Sequence, residues 1–165
     1  MIETANLVLD MLKDKDMDET IKILTNDEVK KTYVIPDLTI KDQENLFKKF
    51  KLNSKSAGHY VRGIFKENKL IGVINENGRL VDGKVDLSIA LSPEYQGQGL
   101  AKEALQGALE ELWKLNYNEV SAYAFADNLA SIGVLEAVGM QKINREEEMD
   151  YRGQKHKVVF YTIKK

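Results

Sequence analysis

Apolar positions along this chain change their spacing several times, and each change marks an element. Over residues 4–11, Leu7, Leu9 and Met11 fall on one side and Val8 on the other, which predicts a first, half-buried strand. Met17, Ile21 and Leu24 then recur at helical spacing over residues 14–24, and a second helical piece is expected over 28–33, after Asn26 and Asp27. Pro36 interrupts the pattern before Leu46, Phe47 and Phe50 restore it over 41–52, up to the polar break Asn53-Ser54-Lys55-Ser56. Residues 60–66 and 70–76 read as two strands of a hairpin joined by Glu67-Asn68-Lys69, with Asn77-Gly78 ending the second. Over 85–91, Val85, Leu87, Ile89 and Leu91 alternate with Asp86, Ser88 and Ala90, a set small and polar enough to face a cleft.

The helical period returns over 100–115, where Ala101, Ala104, Leu105, Ala108, Leu109 and Leu112 make one buried stripe. A strand over 119–125 follows, then a short helix over 130–138 with Asn128 at its threshold and Gly139 as its stop signal. Residues 141–151 and 155–163 flank Arg152-Gly153-Gln154 as a closing hairpin. The order is strand, helices, three strands, helix, strand, helix, two strands, an α/β (α+β) arrangement. No repeat or linker divides it, so residues 1–165 are expected to form one domain.

Composition narrows the function. Apolar residues make up 43% and charged residues 30% of 165, enough for a core without staples. A net charge of -2 gives no electrostatic footprint for nucleic acid or an anionic membrane, so neither is expected as partner. The absence of cysteine excludes disulfides and a thiol nucleophile. His59 and His156 stand apart from any acidic cluster with metal-ligand spacing, so no metal is expected. Residues 1–11 lack the basic start and apolar run of a signal peptide and no membrane-length apolar run occurs, which points to the cytoplasm. Glu146-Glu147-Glu148 reads as a solvated face that could also attract a basic group, and Trp113 reads as packing.

The chemistry concentrates between the strand over 85–91 and the helix over 100–115, in Pro93-Glu94-Tyr95-Gln96-Gly97-Gln98-Gly99-Leu100-Ala101. Two glycines one residue apart strip the backbone of Cβ atoms where unpaired helix N-H groups can meet an anion, which suits a phosphate. The same glycines also suit a plain tight turn. Lys102 occupies the last, small position of the dinucleotide fingerprint, and no Gly-Lys is followed by Ser or Thr, so the Rossmann and Walker motifs are excluded.

That segment resembles the acetyl-CoA signature Q/R-x-x-G-x-G/A of the GNAT superfamily of N-acetyltransferases, with Gln96, Gly99 and Ala101 at the matching positions. Asn128, Ser131, Leu135, Gly139 and Met140 resemble the superfamily's second motif, and the chain from Ile2 to its last hairpin is similar to the ribosomal-protein N-terminal acetyltransferase branch and the neighbouring polyamine acetyltransferases. The resemblance implies a GNAT fold: a mixed, mostly antiparallel sheet of six to seven strands, helices on both faces, and central strands splayed at the cofactor. It implies acetyl-CoA as co-substrate, its pyrophosphate on Gln96, Gly97, Gln98, Gly99, Leu100, Ala101 and Lys102, and its pantetheine arm along Ile89, Ala90 and Leu91, touching Asn128 and Ser131. Acetyl would pass directly, through a tetrahedral intermediate, to a primary amine of a small molecule or a protein N-terminus.

The deprotonating group is assigned by the resemblance to Asp86, with Glu76 as second candidate; ordinary ion pairing or capping remains the alternative for Asp86. Many relatives carry a tyrosine acid where this chain has Leu135, and Ser131 is the substitute the branch suggests, against a plain first-turn hydroxyl. Tyr123 could line the acceptor cleft or pack in the core. Residues 14–55 are expected to shape the acceptor pocket, and a homodimer is an arrangement common among such relatives. A CoA-binding or partner-binding module without turnover is the competing reading.

Overall fold

Eight strands lie side by side in the computed structural model, which describes residues 1–78 and 82–165. They are β1 (Ile2–Glu3), β2 (Val8–Asp10), β3 (Val61–Lys66), β4 (Lys69–Glu76), β5 (Lys84–Leu91), β6 (Glu119–Phe125), β7 (Gln141–Tyr151) and β8 (Gln154–Lys164). The spatial order is β1-β2-β3-β4-β5-β6-β8-β7. Every pairing is antiparallel except β5 with β6, which is parallel and holds for three residue pairs, Lys84 with Glu119, Val85 with Val120 and Asp86 with Ser121.

The helices are α1 (Met17–Leu24), α2 (Asp27–Lys30), α3 (Ile40–Asn53), α4 (Leu100–Lys114) and α5 (Leu129–Ala137). They divide between the two faces of the sheet. Val61, Val73 and Ala90 pack with Ile23, Leu24, Phe47 and Phe50 of α1 and α3. Tyr60, Ile74 and Leu91, their neighbours along the strands, pack instead with Leu105, Ala108 and Leu112 of α4. That split is the strand period of two made visible, each strand feeding both cores. The stripe read on α4 is its buried face, Leu112 being wholly enclosed, and burial of such a side chain stabilises by about 1.5–3 kcal/mol.

The mixed, mostly antiparallel sheet agrees with expectation, but it has eight strands rather than six to seven. The strand expected over 4–11 is shorter, β2 alone over 8–10, and a further short strand, β1, precedes it, because residues 4–7 turn back on themselves. Glu103 of α4 holds that turn: its carboxylate accepts from the Thr4 hydroxyl (2.5 Å), the Asn6 N-H (2.6 Å) and the Asn6 side-chain amide (2.9 Å). Alternation continued through the turn, so the local pattern hid it. The β3–β4 turn has Glu67 and Asn68 both at positive φ, 50° and 65°, the geometry of a two-residue hairpin. In α3, Thr39 caps the helix by accepting from the Asp42 N-H (3.1 Å), while Asp42 accepts from Thr39 (3.2 Å).

Candidate functional site

Beyond Asp86 and Ser121, β5 and β6 no longer pair, and the gap between them opens into a cavity of about 290 Å³. Along β4 and β5 the antiparallel ladder runs from Asn77, whose N-H donates to Asp86, to Ser92, whose N-H donates to Ile71. Alternation along such a ladder turns the N-H groups of Ser88 and Ala90 toward β4 and those of Leu87, Ile89 and Leu91 toward the gap. The Leu91 carbonyl confirms the direction, since it accepts from the Gln96 side-chain amide (3.0 Å) at the gap's mouth. Ile89 and Leu91 therefore turn backbone N-H groups toward an extended ligand in the gap. Ala90 does not line the cavity; its side chain belongs to the core beneath α1 and α3.

The glycine turn closes one end. Gly97 and Gly99 sit at φ 71° and 79°, and a Cβ added to either would meet nothing within 4 Å. Their conformation selects glycine and the space before them is open. Among the described residues, the N-H groups of Gly97 through Lys102 donate to no protein acceptor, whereas the next, Glu103, donates to the Gly99 carbonyl (3.1 Å). Six adjacent donors thus stand at the positive end of a 15-residue helix, with Lys102 also lining the cavity. Gln96, Gly97, Gly99, Leu100, Ala101 and Lys102 face the cavity, whereas Gln98 turns away and donates to the Glu94 carbonyl (2.9 Å).

Asn128 and Ser131 line the wall supplied by α5. The Asn128 side chain caps the helix, accepting from the Ser131 N-H (3.2 Å). The Ser131 hydroxyl itself makes no hydrogen bond among the described residues, so it is free to meet a ligand. Leu135, where relatives would place a tyrosine, is buried and completes this wall.

Opposite lies a wall of Thr32, Tyr33 and Val34, from the segment after α2, which no local pattern announces, together with Ser88 and Tyr123, which the sequence offers as cleft residues. Of residues 14–55, expected to shape the acceptor pocket, Thr32, Tyr33 and Val34 line this cavity. Tyr33 donates to the Asn75 side-chain carbonyl (2.7 Å), and burial pushes its hydroxyl far above the ordinary tyrosine range. Burial also raises Tyr123, helped by the nearby Asp86 charge. Both phenols therefore keep their protons near neutrality.

The two carboxylates singled out from the sequence part company here. Asp86 shares a face of β5 with Ser88, which lines the cavity, and sits where the two strands separate. Its oxygens accept from the Asn77 side-chain amide (2.5 Å) and the Ser121 hydroxyl (2.8 Å), and Ser88 donates to the Asn77 side-chain carbonyl (2.8 Å), linking the cavity to Asp86. Glu76 faces the α4 side; it accepts from the Tyr60 N-H (2.7 Å) and bonds His59 (2.5 Å). The structure does not bring it to the cavity. His156 stacks on Phe125 at 4.1 Å, and the described residues contain no cluster of three metal-ligating side chains.

A family model described as an acetyltransferase (GNAT) domain matches residues 6–141. The chain belongs to the GNAT acetyltransferase family. Its fold matches RimL, a ribosomal L7/L12 alpha-N-protein acetyltransferase solved with coenzyme A, at a TM-score of 0.87 and 16% identity, covering 98% of this chain and 95% of that one. It also matches spermidine N-acetyltransferase from Vibrio cholerae, solved with CoA and spermine (TM-score 0.84, 18% identity, 98% and 96% covered). A GNAT-family acetyltransferase from Bacillus anthracis matches at 0.83 with 20% identity, over 99% and 97%. At such identities the likeness establishes the GNAT fold and leaves the acceptor open. A search of curated proteins by sequence gives no match. As a GNAT acetyltransferase the protein is of the transferase class, and its open glycine turn suits the phosphates of acetyl-CoA on the donors just described.

Proposed function

We propose that this protein transfers acetyl from acetyl-CoA directly to a primary amine, either a protein N-terminus or a small amine. The observation that carries the reading is the run of undirected N-H groups from Gly97 to Lys102, in a turn whose residues other than Gln98 line the gap between β5 and β6. Acetyl-CoA supplies an activated acyl group. The chain's residues would hold it: the glycine turn and Lys102 at the phosphates, Ile89, Leu91, Asn128 and Ser131 along the arm.

An acceptor amine carries a proton at neutral pH, its pKa being roughly 8 to 10, and must lose it before attack. Asp86 does not itself line the cavity, but it shares a face of β5 with Ser88, which does. Two strand positions separate it from Ser88, roughly 6.6 Å, so one water would complete the path. We assign Asp86 as proton acceptor; Ser131 or the protonated Tyr123, both lining the cavity, would supply a proton to the leaving sulfur. Glu76, on the other face, carries no role in this proposal. The neutral, hydroxyl-rich wall of Tyr33, Tyr123, Thr32 and Ser88 suits a neutral amine at the moment of attack.

Calorimetric titration with acetyl-CoA and with CoA tests the cofactor site. The unaltered protein is expected to bind both and Gly99→Trp, which fills the space before the turn and strains a left-handed position, to bind neither while still melting cooperatively. No binding by the unaltered protein overturns the proposal. Leu135 in place of a tyrosine favours the second reading, a CoA-binding module without turnover; CoA binding with no transfer to peptides with a free α-amine or to spermidine would select it.

A further inference from the structure

The wall facing the glycine turn, Thr32 to Val34, belongs to a stretch between α2 and α3 with no helix or strand of its own. A segment of that kind is placed by what grips it from outside. Here the grip comes from the far end of the sheet. Tyr151, the last residue of β7, directs its hydroxyl at the Lys30 carbonyl (2.6 Å), with the carbonyls of Tyr33 (3.1 Å) and Ile35 (3.3 Å) beside it. One hydroxyl proton serves one carbonyl at a time, and Lys30 is the nearest. The same oxygen accepts from the Ile35 N-H (3.3 Å) and from Arg152 Nε (2.9 Å).

Arg152 adds two more bonds to the segment. It donates to the Ile35 carbonyl (2.7 Å) and to the Asp37 carboxylate (2.8 Å), and the pairing holds the Asp37 carboxyl below its usual range. The clasp itself is anchored, because the Tyr151 ring packs against Phe125 of β6 (6.0 Å) and His156 of β8 (6.2 Å). Neither Tyr151 nor Arg152 lines the cavity.

We propose that Tyr151 and Arg152 are positioning residues: the tip of the β7–β8 hairpin clasps residues 30–37 and thereby sets the grip of the acceptor-side wall on the amine, leaving the cofactor turn untouched. The inference rests on the acetyl-transfer reading for its account of what the wall grips, and on the hydrogen bonds alone for the clasp.

Tyr151→Phe keeps the ring and removes every bond to the segment made by the hydroxyl; Arg152→Lys keeps a charge for Asp37 and removes the fork. Three readouts are taken on the full chain: hydrogen exchange over residues 30–37, the acetyl-CoA dissociation constant, and steady-state constants for a peptide with a free α-amine and for spermidine. In Tyr151→Phe, exchange over 30–37 is expected to rise about tenfold and the acceptor KM about tenfold, the size of one lost bond. The acetyl-CoA constant and kcat stay within about twofold, and Arg152→Lys shows a smaller change in the same direction. Unchanged exchange overturns the clasp by itself. Faster exchange with an unchanged acceptor KM, or with a parallel loss of acetyl-CoA binding, overturns the positioning role. Failure of the unaltered protein to acetylate either amine sinks the acetyl-transfer reading and the acceptor role with it, an outcome the exchange result does not share.

Discussion

Asp86 shows how one side chain can be read in two ways until its neighbours are known. From spacing it is a carboxylate on the small polar side of a strand; in the fold both of its oxygens are already engaged, by Asn77 and Ser121. Engagement does not remove it from chemistry, since a carboxylate oxygen has more than one lone pair. If it takes the amine's proton, Asp86→Asn lowers kcat about a hundredfold and abolishes the acid limb of the pH profile, as loss of a general base does. The acetyl-CoA constant, measured alongside, should stay within about twofold. A pH profile that keeps its acid limb with only a lowered melting temperature would leave Asp86 as a tie between β4, β5 and β6. Ser88 stands on the small polar side of its strand, read as able to face a cleft, whereas Tyr33 is not singled out because nothing near it in sequence signals a cavity; it arrives from the far side of the sheet.

At the scale of elements, the helices and most strands were legible because their periods and stop signals are local. The strand over 119–125 and the helix beginning at Leu100 stand as read, and the hairpin read with a connection of Glu67-Asn68-Lys69 forms with Lys69 already in β4. Residues 4–11 misled because their turn is imposed from α4, through Glu103, about a hundred residues away in sequence. A second tie between α4 and the sheet is more deeply set. Glu111 accepts from the Tyr60 hydroxyl (2.8 Å) and from a fork of Arg62 (2.9 and 3.2 Å), with the two charged side chains only 11% and 12% exposed. Removing one partner of such a pair strands the other, so Glu111→Ala is expected to destabilise by about 3 kcal/mol. Denaturant unfolding checks it, and a loss below about 1 kcal/mol would mean that water replaces the carboxylate.

For the whole molecule, the buried phenols make stability depend on alkaline pH. Tyr33, Tyr60 and Tyr123 are all held above the ordinary value, burial being the first cause in each. A group whose folded pKa lies above its unfolded one contributes stability that is whole below the unfolded value, about 10 for tyrosine, and is lost as pH rises toward the folded value. Melting temperature should therefore hold up to about pH 9.5 and drop beyond about pH 10, with a smaller drop in Tyr33→Phe. Equal alkaline slopes in the variant and the unaltered protein would contradict the burial of Tyr33.

The chain by itself determined the element order after its first turn, the buried stripe of α4 and the phosphate-suited turn, because periodicity, caps and paired glycines act over a few residues. Tertiary structure decided the rest. Only the fold parts β5 from β6 after Asp86, carries Glu76 to the opposite face, and sets Tyr33, Ser88 and Tyr123 around one cavity. Those outcomes follow from which strands pair and which segments are clasped, interactions between residues too far apart in sequence for any local pattern to record.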